Sequence, residues 1–118
     1  MLPATHRLTR GGDLRRVSRT GQRAGSGSLV VHVVLADAQG PARIGFVVSR
    51  AVGNSVVRHR VQRRLRHLCR ERLGDLPPGC ELVVRALAPS AFASYAELGA
   101  DLDRCLQRGL VRRPGTVS

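Results

Sequence analysis

Residues 55–73 constrain the fold most, because this segment contains neither glycine nor proline and repeats its apolar residues at helical spacing. The aliphatic side chains of the repeat are Val57, Val61, Leu65 and Leu68. At about 100° per residue they fall within one narrow arc. We therefore predict a helix that is capped by Asn54 or Ser55 and packs this aliphatic side against a sheet.

The other side of the same helix is strongly basic. The residues that project from it or lie at its flanks are Arg58, His59, Arg60, Gln62, Arg63, Arg64, Arg66, His67 and Arg70, with Glu71 as countercharge. Solvated helix faces usually mix charge signs, whereas this one places arginine beside arginine or histidine. The whole chain has 20 basic and 8 acidic residues, a net charge of +12. These features favour a polyanion partner, RNA above all, over a face that is merely solvated.

Local patterns predict the other elements, and turn residues separate them. The predicted elements are a short helix over 9–20, strands over 29–35 and 43–49, the basic helix, a strand over 80–88 and a helix over 94–109. We expect the first two strands to pair as an antiparallel hairpin, with a turn over 37–41 and a bulge or close approach at Gly45. The strand after the basic helix suggests a βαβ unit, and Ser94 with Glu97 forms a capping box.

These elements predict an α+β sandwich, in which helices pack on a mixed sheet of three to four strands in the order αββ(β)αβα. We expect one domain over 1–112 and a short flexible tail over 113–118. The longest apolar run, 29–36, is too short to span a membrane, and residues 1–10 lack an apolar signal segment, so we expect no membrane association and a cytoplasmic location. Cys69, Cys80 and Cys105 lack metal-ligand spacing, which predicts reduced apolar fillers and no metal site.

The run from Ser49 to Arg66 resembles the signature of the bacterial ribonuclease P protein family. In that family a strand ends in a basic pair, followed by Gly-Asn-Ala-Val, Arg-Asn-Arg and Lys-Arg-x-Leu/Ile-Arg. The corresponding residues here are Gly53-Asn54-Ser55-Val56, Arg58-His59-Arg60 and Gln62-Arg63-Arg64-Leu65-Arg66. The resemblance also covers Leu2-Pro3, His6-Arg7-Leu8, Asp13-Leu14 and Arg43-Ile44-Gly45. It implies a left-handed βαβ crossover, against the general preference for right-handed ones.

Two RNA-binding surfaces follow from the resemblance. The surface for the catalytic RNA subunit would comprise Arg50, Gly53, Asn54, Arg58, His59, Arg60, Arg63, Arg64, Arg66 and Arg70. The cleft for the 5′ leader of precursor tRNA would comprise Leu14, Arg15, Arg16, Ser18, Arg19, His32, Arg43 and Phe46. Leu14, Ser18 and His32 stand where relatives tend to carry aromatic side chains, so we expect leader contact to depend more on arginine and backbone groups than on stacking.

The implied activity is removal of the 5′ leader from precursor tRNA, with the RNA subunit and its Mg²⁺ carrying out the hydrolysis. The protein would contribute no catalytic residue, hold no metal or cofactor by a motif of its own, and need no obligate protein partner. The main alternative is a ribosomal or other structural RNA-binding protein. A DNA-binding regulator fits less well, because the basic helix follows a strand rather than a helix-turn pair. A stand-alone ribonuclease would have to use the four histidines or Asp13, Asp101 and Asp103, which show no ligand pattern.

Overall fold

The computed structural model describes residues 2–35 and 39–110 of the 118-residue chain. Its elements are helix α1 (Gly11–Thr20), strands β1 (Gln22–Ser26), β2 (Leu29–Val34) and β3 (Arg43–Val48), helix α2 (Ser55–Glu71), strand β4 (Glu81–Ala86) and helix α3 (Tyr95–Gly109). This order confirms the predicted α+β sandwich, with β1 as the optional third strand. The predicted tail over 113–118, the last residues of the predicted domain and part of the predicted 37–41 turn lie outside the described residues.

The four strands form one mixed sheet in the order β1-β2-β4-β3. The prediction that β2 and β3 pair as an antiparallel hairpin was wrong, because β4 lies between them, antiparallel to β2 and parallel to β3. Leu82, Val83 and Val84 of β4 are all buried, although successive side chains point to opposite faces of the sheet. A strand that is apolar on both faces belongs in the middle of a sheet. The predicted βαβ unit is confirmed as β3-α2-β4.

The observed hairpin joins β1 to β2 through Gly27 and Ser28. Gly27 has a φ of +54°, a backbone conformation that glycine adopts at little cost. Asp101 of α3 secures this turn, because the backbone N–H and the hydroxyl of Ser28 donate to its carboxylate at 3.0 and 2.6 Å. Burial opposes ionisation of Asp101, but these hydrogen bonds and those from Arg104 and Ser26 outweigh it and lower the pKa of the carboxyl.

Helices cover both faces of the sheet. α2 and α3 pack over the face that carries Leu29, Val31 and Val33 of β2, whereas Val17 of α1 packs over the other face against Val83. The outer edge of β3 is covered by the N-terminal segment, in which the Leu8 N–H donates to the Ile44 carbonyl at 2.9 Å. Covering an edge strand in this way protects it from pairing with another chain.

Gly45 of β3 allows α1 and the N-terminal segment to approach the sheet closely. A Cβ at this position would overlap Leu14 and would lie 2.6 Å from the Leu8 carbonyl oxygen. The expectation of a close backbone approach at Gly45 is therefore confirmed, and its cause is the contact with α1.

The orientation predicted for α2 is confirmed. Val61 and Leu65 are fully buried and Leu68 is 3% exposed, whereas Val57 is half-buried at the edge of the same core. Asn54 is the N-cap, since its side-chain oxygen accepts a hydrogen bond from the Val57 N–H at 3.0 Å. The capping box of Ser94 and Glu97 at the start of α3 is also present.

The three cysteines are free and buried in the main core, as expected for apolar fillers. Burial raises the pKa of Cys69 to about 12 and that of Cys80 to about 11, which keeps both thiols protonated near neutral pH. Within the described part of the chain, no helix combines the length and apolar character needed to cross a bilayer.

Replacing Leu65 by alanine should lower the free energy of unfolding by about 2 to 5 kcal/mol, because it leaves a cavity beneath α2. Val56→Ala is the matched control, since Val56 lies on the same helix but is 73% exposed and should change stability little. Urea denaturation of both variants measures the difference. Equal effects would show that the inner side of α2 has been assigned wrongly.

Candidate nucleic-acid interface

The outer face of α2 presents a row of exposed basic side chains. Those that lie exposed are His59, Arg63, Arg66, His67 and Arg70. They alternate along the helix with the buried aliphatic residues, so the packing of one side determines the exposure of the other. The half-buried Arg58, Arg60 and Arg64 lie at the flanks, as their angular positions predict.

The arginines of this face have no carboxylate partner among residues 2–35 and 39–110. Glu71, the single acid of α2, instead accepts a hydrogen bond from the Tyr95 hydroxyl at 3.1 Å and lies 3.7 Å from Arg72. The positive charge of the face is therefore uncompensated within the described protein. Such a surface favours an anionic partner with several charges along its length.

Two flanking arginines are held by the connection between β4 and α3. Arg60 donates to the Ala91 carbonyl at 3.0 Å, and Arg64 donates to the Ala93 carbonyl at 3.3 Å. These hydrogen bonds fix the guanidinium groups without neutralising their charge. Arg60 and Arg64 are thus partly structural, which separates them from the exposed Arg63 and Arg66.

The turn before α2 positions the start of the basic face. Gly53 has a φ of +156°, and a Cβ there would meet the side chain of Val57 at 3.0 Å, so the turn requires glycine. Asn54 follows as the cap, and Arg50 lies exposed where the chain leaves β3. The predicted residues Arg50, Gly53 and Asn54 therefore lie at the N-terminal end of the α2 face.

A second basic surface is a groove of about 560 Å³ between α1 and the sheet. It is lined by Gly11, Leu14, Arg15, Ser18, Arg19, Val47 and Arg85. Four residues predicted for the leader cleft, Leu14, Arg15, Ser18 and Arg19, thus lie together on one side of α1. Arg85 of β4 was missed, because only the position of β4 beside β3 reveals that this side chain faces α1.

Arg16 and Arg43 were predicted for the same cleft, but both bind Glu81. The two guanidiniums donate to its carboxylate at 2.9 and 2.7 Å, and the Glu81 side chain is only 10% exposed. Arg16 lies on the same side of α1 as Asp13, and it is not among the residues that line the groove. Glu81 supplies one negative charge for two guanidiniums whose side chains are 40% and 45% exposed, so part of their positive charge remains beside α1. The Arg16–Glu81 pair also connects α1 to the sheet.

His32 lies on the α1 face of β2, half-buried between basic neighbours. Its Nδ1 atom is buried and accepts or donates no hydrogen bond within the described residues. Burial, together with the charges of Arg85 and Arg23, lowers the pKa of His32 below its ordinary value. The imidazole is therefore neutral near pH 7, and an anion bound between these arginines would raise its pKa.

Phe46, also predicted for the cleft, lies elsewhere. Its side chain packs with Ile44 against the core beneath α2, and it lines a separate hollow of about 180 Å³ with Gln62 and Arg66. Alternation along β3 explains this placement, because Arg43, Gly45 and Val47 are the β3 residues on the α1 side of the sheet. Only Leu14 lines both this hollow and the α1 groove.

The carboxylates that a stand-alone nuclease would need are already engaged. Asp13 pairs with Arg16, Asp101 holds the β1–β2 turn, and Asp103 pairs with Arg72, whose hydrogen bond lowers the pKa of the Asp103 carboxyl. No group of three or more potential metal ligands comes together in the described ranges.

The chain is similar to ribonuclease P proteins over almost all of its length. A family model described as Ribonuclease P matches residues 2–109. The chain is 57% identical over 110 residues to the Ribonuclease P protein component of a Nocardioides species, covering 92% of this chain and 94% of the relative. It is 50% identical over 116 residues to that of Streptomyces griseus, with the same two coverages.

Solved structures share the fold. A mutant of the Staphylococcus aureus RNase P protein matches with a TM-score of 0.80 and 20% identity, covering 91% of this chain and 90% of that one. The RNase P protein of Thermotoga maritima matches with a TM-score of 0.77 and 22% identity, covering 91% and 98%. At these identities the match establishes the common fold.

Lowering the pH should destabilise the folded chain in part through His32. The pKa of His32 is lower in the folded chain than in the unfolded chain, so protonation of this side chain favours unfolding. The free energy of unfolding is therefore unaffected by His32 above the unfolded pKa of about 6.5 and decreases as the pH falls through that value. His32→Gln should remove this contribution. Chemical denaturation of both proteins at about pH 7.5 and about pH 5.5 would test it, and identical pH dependence would contradict the assignment.

Proposed function

The chain belongs to the ribonuclease P protein family, and we propose that it uses two separate basic surfaces, the α2 face for the RNA subunit and the α1 groove for the substrate. It is a protein subunit of ribonuclease P, a ribonucleoprotein endonuclease that processes tRNA, and its partner is the ribonuclease P RNA. Family membership excludes the alternative of a ribosomal protein.

The RNA subunit would lie along the exposed face of α2. The observation that carries this proposal is a row of guanidiniums, on a helix of 17 residues, that have no carboxylate partner in the described part of the chain. At 1.5 Å per residue that helix is about 26 Å long, enough to follow several phosphates of a folded RNA. Arginine suits such a partner, because its planar group donates two parallel hydrogen bonds to phosphate oxygens.

The 5′ leader of precursor tRNA would bind in the α1 groove. Arg15, Arg19 and Arg85 supply the positive charge there, while Leu14 and Ser18 offer no aromatic surface for stacking. Contacts to the leader would therefore be mainly electrostatic and insensitive to base identity. Arg16 and Arg43 would contribute less than these three, since they share the single negative charge of Glu81.

The chemistry would be supplied by the RNA subunit. We propose that Mg²⁺ is held by the RNA and that the protein lowers the repulsion between the RNA subunit and the substrate. Asp101, Asp13 and Asp103 stabilise the fold through Ser28, Arg16 and Arg72, respectively. Because both RNAs are transcribed in the bacterial cytoplasm, we propose that the protein acts there.

Replacing Arg63 and Arg66 by alanine should weaken binding to the RNA subunit and make it less dependent on salt. Each lost phosphate contact should flatten the plot of log affinity against log salt concentration by about 0.7 to 0.9. The control Arg108→Ala, set beside either single substitution, removes the same one charge from α3, where the Arg108 guanidinium donates to the Gly25 carbonyl. Equal effects in the two proteins would contradict a specific α2 interface.

Replacing Arg15 and Arg85 by alanine should weaken binding of precursor tRNA that carries a leader, but not of mature tRNA. Affinities of the reconstituted holoenzyme for both RNAs separate leader contacts from contacts to the tRNA body. Arg16→Ala is the matched control on α1, expected to reduce stability more than leader binding because Arg16 pairs with Glu81. Equal losses for both RNAs would count against the groove.

A further inference from the structure

Phe92 in the connection between β4 and α3, and Tyr95 at the start of α3, are exposed. The sequence contains two phenylalanines, one tyrosine and no tryptophan. Phe92 is 92% exposed and Tyr95 is 41% exposed, whereas Phe46 packs against the core. Tyr95 has a structural role, because its hydroxyl donates to Glu71. The ring of Phe92 has no such role, since almost all of its surface faces solvent.

The basic helix fixes the position of Phe92. Ala91 and Ala93, its two neighbours in the chain, accept the hydrogen bonds from Arg60 and Arg64 that were described above. The backbone on both sides of Phe92 is therefore held at the flank of α2, and the side chain projects from a segment with two bound guanidiniums. A lone exposed apolar residue is ordinary, but one held between arginines forms a surface suited to nucleic acid.

A neighbouring hollow extends this surface along α2. It measures about 510 Å³ and is lined by Ser55, Val56, His59, Arg60 and Arg63. Val56 contributes apolar surface to this hollow, and its side chain is 73% exposed. Arg60 lines the hollow and donates to Ala91, the residue before Phe92. Apolar surface with arginines at its margin fits the two parts of a nucleotide, the base and the phosphate.

We propose that Phe92 is a stacking platform for an unpaired base of the RNA subunit. Arg60 and Arg64 would face the adjoining phosphates, so the interface would extend from α2 to the β4–α3 connection. The inference depends on the proposed RNA interface of α2. The flanking positive charge favours RNA over a protein surface as the occupant.

Three substitutions at Phe92 test stacking against simple apolar contact. Phe92→Ala should weaken affinity for the RNA subunit roughly 10-fold, and Phe92→Leu should weaken it nearly as much, because leucine keeps apolar volume but has no aromatic face. Phe92→Trp should bind within about 2-fold of the parent. All three should keep the melting temperature, since the side chain is 92% exposed.

The Phe92→Trp protein also gives a direct signal, because it contains a single tryptophan. Its fluorescence should be quenched on binding the RNA subunit, and sedimentation should show no change in oligomeric state for Phe92→Ala. The proposal would be overturned if leucine bound as tightly as the parent, if tryptophan fluorescence did not respond, or if Phe92→Ala altered self-association. The Arg63→Ala/Arg66→Ala protein tests the RNA interface of α2 separately from the stacking role of Phe92. Normal RNA affinity in that protein would contradict the α2 interface itself.

Discussion

The packing of Val61 and Leu65 against the sheet is the interaction on which the rest of the structure depends. Both side chains are fully buried, so α2 cannot rotate without exposing them. The basic residues on the other side must then point outward, whatever their mutual repulsion costs. An RNA that neutralises this face would remove the repulsion. The packing that buries Val61 and Leu65 therefore also favours the binding of RNA.

The two basic surfaces differ in how much of their charge the protein itself compensates. Glu81 binds two arginines beside α1 and fixes that helix on the sheet, whereas the guanidiniums of α2 have no carboxylate partner among the described residues. The α2 face therefore has the character of a permanent interface with a large polyanion. The α1 groove keeps a few free cations, Arg15, Arg19 and Arg85, which suits a partner that binds and leaves.

Local patterns were enough to predict α2 and α3, because their caps at Asn54 and Ser94 and their apolar spacing are encoded in neighbouring residues. The order of the strands could not be predicted from neighbouring residues. Strand β4 lies between β2 and β3, and its side chains are buried on both faces of the sheet. The composition of the groove depends on that order, which is why Arg85 was not named in advance and why Phe46, predicted for the cleft, lies outside the groove. The predicted order allowed for strand β1 but gave it no range, although the Gly27-Ser28 turn signal was present in the sequence.

The most direct test of the central claim places a photo-crosslinking residue at two exposed positions of the protein bound to its RNA subunit. One position replaces His67 on the basic face of α2, and the other replaces Gln107 on α3. The account predicts crosslinks to the RNA subunit from position 67 and few or none from position 107. Crosslinks from position 107 with none from position 67 would contradict it.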